Sequence, residues 1–133
     1  MALFVAPVLQ AQDYTVVFEG RPLTKVESSF ESTESSTVSS DEAFEFAVRI
    51  VERRGKYYWA TREMRELVRS ERGAYITFHA VDGSGYVRIG APILLELRDQ
   101  LPADKRRREI GYVEHLLIQY ASVTYYGNRL GAP

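Results

Sequence analysis

At 133 residues, 45% hydrophobic and 26% charged, the chain is sized for one domain with a sizeable core. It has no cysteine, which excludes disulfides, thiolate catalysis and thiolate metal sites and suits a cytoplasmic protein. The net charge of −1 is unevenly spread: Met1–Glu42 carries two bases against seven acids, and the remainder 15 bases against 11 acids. An acidic arm thus precedes a mildly basic body that can attract it.

The first ten residues, MALFVAPVLQ, are apolar but lack a basic leader and are too short to cross a bilayer. They read as an N-terminal strand or docking arm, with a truncated targeting signal as the alternative. Asp13–Glu19 alternates as a strand, with Tyr14, Val16 and Phe18 on one face, and Gly20-Arg21-Pro22 is expected to end it. The acidic Ser/Thr-rich segment at about 24–41 is expected to be flexible: nine of the thirteen residues from Ser28 to Ser40 are Ser or Thr. It reads first as a loop between strands and second as an acidic, partner-binding tether.

Asp41–Gly55 carries two patterns. As a helix, Ser39 and Glu42 form a capping box and Gly55 follows the last turn. As a strand, Phe44, Phe46, Val48 and Ile50 share a face, and Arg54-Gly55 turns into Lys56–Thr61. The strand is preferred because the hairpin sets Ile50 against Trp59 and Glu52 against Tyr57, a favourable aromatic to β-branched arrangement. Arg62–Arg72 alternates charge densely and reads as an edge strand guarded by it.

Gly73–Ala91 holds the clearest local signal, an Asp82-Gly83-Ser84-Gly85 turn between two runs of β-branched and aromatic residues. The expected register sets His79 against Arg88 and Phe78 against Ile89. Phe78, Ala80, Val87 and Ile89 then face a core, and Tyr75, Thr77, His79, Tyr86 and Arg88 face the other way. Beyond Ile93–Asp99, Pro102–Tyr120 shows apolar residues at helical spacing (Ile110, Val113, Leu116, Leu117, Tyr120) and is predicted as an amphipathic helix. Ser122–Tyr126 returns to strand composition, and Gly127–Pro133 reads as a frayed tail.

The predicted fold class is therefore α+β: a twisted antiparallel sheet of roughly five to seven strands in consecutive hairpins, with that helix packed on one face. If the helix covers the polar face, His115 approaches His79 and Arg88, giving a ligand face of Tyr75, Thr77, His79, Tyr86, Arg88 and His115. Tyr57, Tyr58 and Trp59 add aromatic mass to core or cleft. Lys105–Arg108 is the basic run, but it is set at a helix start in a near-neutral chain, so nucleic acid is not the expected partner. Two histidines and a carboxylate do not dictate a metal, and no motif asks for a cofactor. The expected function is non-enzymatic binding of a protein partner or a small amphipathic or anionic ligand, with a homodimer through an uncovered sheet face. The alternative is a small enzyme using His79 or His115 as general acid–base and Arg88 as anion holder.

Overall fold

Antiparallel strand pairing governs nearly every described segment of this computed structural model, which covers residues 13–73, 75–90 and 111–129. Its strands are β1 (Thr15–Ser28), β2 (Thr33–Thr37), β3 (Val48–Arg53), β4 (Lys56–Trp59), β5 (Arg65–Arg72), β6 (Tyr75–Ala80), β7 (Gly85–Gly90), β8 (Gly111–Ile118) and β9 (Ala121–Arg129). A short helix, α1 (Ser40–Glu45), lies between β2 and β3. All pairings are antiparallel between neighbours in the order β2-β1-β3-β4-β5-β6-β7-β8-β9, and β9 returns to β1. The first half of β1 pairs with β3 and the second half with β9 on one side and β2 on the other. Eight strands therefore close on themselves, and β2 hangs on β1 outside the ring.

This overturns the α+β expectation. The protein is an antiparallel β-barrel, and residues 111–118 of the predicted helix form β8. Tyr112, Glu114 and Leu116 alternate inward there, a strand period that coincides over a short run with the helical spacing of Val113, Leu116 and Leu117. The first part of that predicted helix, the Lys105–Arg108 run, Ile93–Asp99 and the N-terminal apolar stretch lie outside the described residues.

Other expectations change for local reasons. β1 does not stop at Gly20-Arg21-Pro22 but runs through it, with register shifts between Val16 and Phe18 and between Pro22 and Thr24. The first shift breaks the expected alternation, so Phe18 is buried while Val16 stays half exposed. The second falls beside the proline, which has no N–H to donate to a ladder. β5 lies between β4 and β6 and is no edge strand, because the barrel has closed around it. Asp41–Gly55 divides between its two readings: α1 has Ser39 as N-cap, its side chain accepting from Glu42 N at 3.2 Å, while β3 and β4 form the expected hairpin. Ile50 faces Trp59 and Glu52 faces Tyr57. Gly127–Arg129, expected in a frayed tail, belong to β9. The Ser/Thr-rich segment, first read as a loop, contributes β2, with all five residues exposed.

The barrel interior is filled by side chains, as befits eight strands. Phe18, Val48, Ile50, Trp59, Leu67, Phe78, Val87, Tyr112, Leu116 and Tyr125 form its core. Tyr57 meets Phe78 edge-on at 5.2 Å, and Phe18 meets Tyr112 at 5.5 Å. Burying each such large side chain contributes about 1.5–3 kcal/mol. At the β1–β9 seam the backbones approach so closely that a Cβ on Gly127 would collide with the Arg21 carbonyl.

Candidate functional site

The β6–β7 hairpin keeps the predicted faces but not the predicted register. His79 faces Tyr86, Thr77 faces Arg88 and Phe78 faces Val87. The loop is Val81–Ser84 rather than Asp82–Gly85, held by Gly83 N donating to Ala80 O at 3.0 Å and Ser84 N to Asp82 Oδ1 at 2.9 Å. The Ser84 hydroxyl, which also donates to Asp82 Oδ1, and then the Ser84 N–H hold the Asp82 carboxyl below its ordinary range. Gly85 opens β7 at φ +154°, where a Cβ would strike the His115 carbonyl. The shift is by two residues, so every side chain keeps its face while its partner changes.

The registers of four strands place a row across the outer surface: His79 on β6, Tyr86 on β7, His115 on β8 and Thr124 on β9. The Tyr86 ring stacks on His115 at 5.2 Å and 25°, and lies 6.1 Å from His79. His115 Nδ1 is 2.9 Å from Thr124 Oγ1, which fixes the imidazole in rotation. The next row is Thr77, Arg88, Val113 and Tyr126. Arg88 sets its guanidinium 5.3 Å from the Tyr86 ring centre and donates from Nε to Thr77 Oγ1 at 3.2 Å. Among the described residues, the bond from Nε is the one side-chain hydrogen bond that Arg88 makes. Among the described outward residues of β6 to β9 there is no carboxylate, so the strip is cationic and aromatic.

Of the predicted ligand face, the structure brings together His79, Tyr86, Arg88 and His115, with Thr77 beneath Arg88 and only 7% exposed. Tyr75 shares the face but sits four residues along β6 from His79, roughly 13 Å away at 3.3 Å per residue. His115 comes to the row on a strand of the same sheet, not on a covering helix.

A second polar cluster, inside the barrel, was not expected from the sequence. Glu114 is fully buried and accepts from Trp59 Nε1 and from Arg62 Nη2, each at 2.8 Å. Burial pushes its carboxyl above the ordinary range, and the Arg62 guanidinium and Trp59 pull in the opposite direction. Arg62 comes from the turn between β4 and β5 and stands 5.9 Å over the Tyr125 ring. Tyr125 in turn stacks on Phe46 at 5.6 Å, and Lys25 lies 5.7 Å over Phe46. Arg62 Nε and the Tyr112 hydroxyl are buried without a protein partner. Burial, then the Glu114 charge, push the Tyr112 phenol far above its usual value. Read as a helix, Glu114 points away from the apolar stripe; read as a strand beside Tyr112 and Leu116, it points inward, and that parity was the available signal.

Beside α1 a cleft of about 300 Å³ is lined by Glu19, Arg21, Phe44, Arg49 and Thr61. Most of its charges are already engaged: Arg49 Nε bonds Glu19 Oε1 at 2.9 Å, and Arg21 lies 4.2 Å over the Phe44 ring, with Glu45 the remaining charge in the lining. Among the described residues, no three His, Asp or Glu side chains are grouped to hold a metal ion, and no helix is long and apolar enough to cross a membrane. No protein-family model, curated protein or solved structure matches the chain.

Proposed function

We propose that the protein is a non-enzymatic binding barrel whose outer strip of His79, Tyr86, Arg88 and His115 takes an anionic group carried on a flat or aromatic body. The observation that carries this reading is Arg88, set over Tyr86 and tied through Nε to buried Thr77, in a strip that holds no carboxylate among the described outward residues of β6 to β9. A guanidinium held in this way is already ordered, so little side-chain entropy is lost when its terminal N–H groups meet a carboxylate or phosphate. The stacked Tyr86 and His115 rings offer an adjacent platform. A partner protein's side chain and a small ligand satisfy the same chemistry.

The alternative, acid–base catalysis by His79 or His115, has less support. His115 is oriented by a threonine hydroxyl rather than a carboxylate, and the strip lies on the outside of the barrel, where water is not excluded. Titration with phenyl phosphate, followed by chemical shifts of the Tyr86 and His115 rings, tests the proposal. Arg88→Gln and Tyr86→Leu should each weaken binding at least tenfold. Unchanged affinity in Arg88→Gln sinks it, and hydrolysis of phenyl phosphate lost in His115→Asn favours the enzyme.

A further inference from the structure

The ring of eight strands closes on itself, but β2 stands outside it. Among the described residues β2 pairs with β1 alone, without a bulge, and all five of its residues are exposed. The hydrogen bonds that bracket the hairpin identify which backbone groups are free. Ser29 N donates to Ser32 O, and Val38 N donates to Leu23 O at 2.9 Å. Antiparallel ladders alternate bonded and non-bonded pairs, so Glu34 and Ser36 also bond towards β1. Thr33, Ser35 and Thr37 therefore turn their N–H and C=O groups away from β1, towards the open edge.

The surroundings of that edge are acidic. From Lys25 to Glu45 the chain holds one base and six acids (Glu27, Glu31, Glu34, Asp41, Glu42 and Glu45). The one base is already bound, with Lys25 Nζ 2.7 Å from Glu27 Oε1. Apolar groups flank β2 at both ends: Phe30 in the hairpin tip is 89% exposed and Phe44 in α1 is 70% exposed. Natural edges are commonly guarded by lysine, proline or bulges, and β2 has none of these.

We propose that the open edge of β2 receives an extended, lysine- or arginine-bearing segment of a partner protein as an added antiparallel strand. Main-chain bonds to Thr33, Ser35 and Thr37 supply the affinity, and the acids around β2 select basic side chains. A second copy of this chain is the wrong occupant. Antiparallel pairing of two β2 strands about Ser35 would set each copy's Glu34 opposite the other's Ser36 and bring two acidic segments together, and their summed like charge opposes that association. This surface is centred on the open side of β2, three strands round the ring from β7, and it shares no residue with His79, Tyr86, Arg88 and His115, so it is independent of the function proposed above.

The test is fluorescence anisotropy with a labelled, end-capped nine-residue peptide alternating lysine and valine. Ser35→Pro removes one edge N–H without touching a bond to β1, and it should weaken binding at least tenfold while the thermal midpoint stays put. Should Ser35→Pro disturb the fold, the same peptide N-methylated at alternate residues makes the equivalent test on the unaltered protein and should also bind at least tenfold more weakly. Glu34→Lys should weaken binding further at low salt. Equal binding of the plain and N-methylated peptides, or no binding at low salt, overturns the proposal. So does self-association of the protein that Ser35→Pro abolishes, which would make the occupant a second copy.

Discussion

Trp59 Nε1 donates to Glu114 Oε2 at 2.8 Å across the barrel interior, although the two residues stand 55 apart in the chain. With Arg62 as the second donor, the carboxylate has two strong hydrogen bonds in a site with almost no water. Removing one partner of such a pair leaves the other charge buried and uncompensated, which costs about 3–5 kcal/mol, whereas removing both is far milder. Glu114→Leu is expected to lose that much stability in urea unfolding, and Arg62→Met with Glu114→Leu to regain more than half. Strictly additive losses would mean that the two side chains are not coupled.

The Tyr112 hydroxyl is buried without a protein partner. An unpaired buried polar group costs about 1–3 kcal/mol, so Tyr112→Phe should hold or raise stability by about 1 kcal/mol. A loss larger than that in thermal unfolding would show that the hydroxyl is bonded in solution.

Burial raises both the Tyr112 and Tyr125 phenols above the ordinary value near 10. A group whose folded pKa is raised stabilises the fold fully below its unfolded value and loses that contribution as pH climbs through the gap. Stability should therefore fall as pH rises above about 10, and less steeply in Tyr112→Phe. Glu114 has the same sign lower down: relative to Glu114→Gln, the unaltered protein should lose stability as pH rises past the ordinary carboxylate range. Urea midpoints across pH compare the slopes, and parallel curves count against it.

At the closure seam, Gly127→Ala would drive a methyl into the Arg21 carbonyl and the Pro22 Cα. Neither is a flexible side-chain end, so the strands must separate. Overpacking of this kind costs about 1–3 kcal/mol, and here the upper part of that range is expected. Faster hydrogen exchange at the β1 and β9 amides than at β6 and β7 would locate the damage.

Local patterns carried into the structure where both partners lie close in the chain. The β3–β4 hairpin is legible because Arg54-Gly55 sets its register and Ile50 meets Trp59 nine residues later. The faces of β6 and β7 are legible as well, since alternation survives a two-residue slip, but the partners of His79 and Arg88 are not. His79, Tyr86 and Arg88 could be placed on one face from spacing alone, whereas the route by which His115 joins them required knowing that β8 is a strand. Distant consequences left weaker traces. Glu114 looks like an exposed acid until Trp59 and Arg62, 55 and 52 residues before it, are brought alongside. Thr33–Thr37 carries no apolar alternation, because neither of its faces enters the core.

β1 is shared: its first half completes the sheet with β3, and its second half is completed by β9, more than ninety residues downstream in every pair. During synthesis, residues 15–90 can pair in sequence as hairpins while the second half of β1 still waits for residues 121–129. A sheet with an open edge and a half-covered apolar face is exposed to wrong pairing over that interval. Emergence of β9 from the ribosome is thus the event that turns a vulnerable ribbon into a sealed one, and a nascent chain halted before Ala121 is expected to need a chaperone.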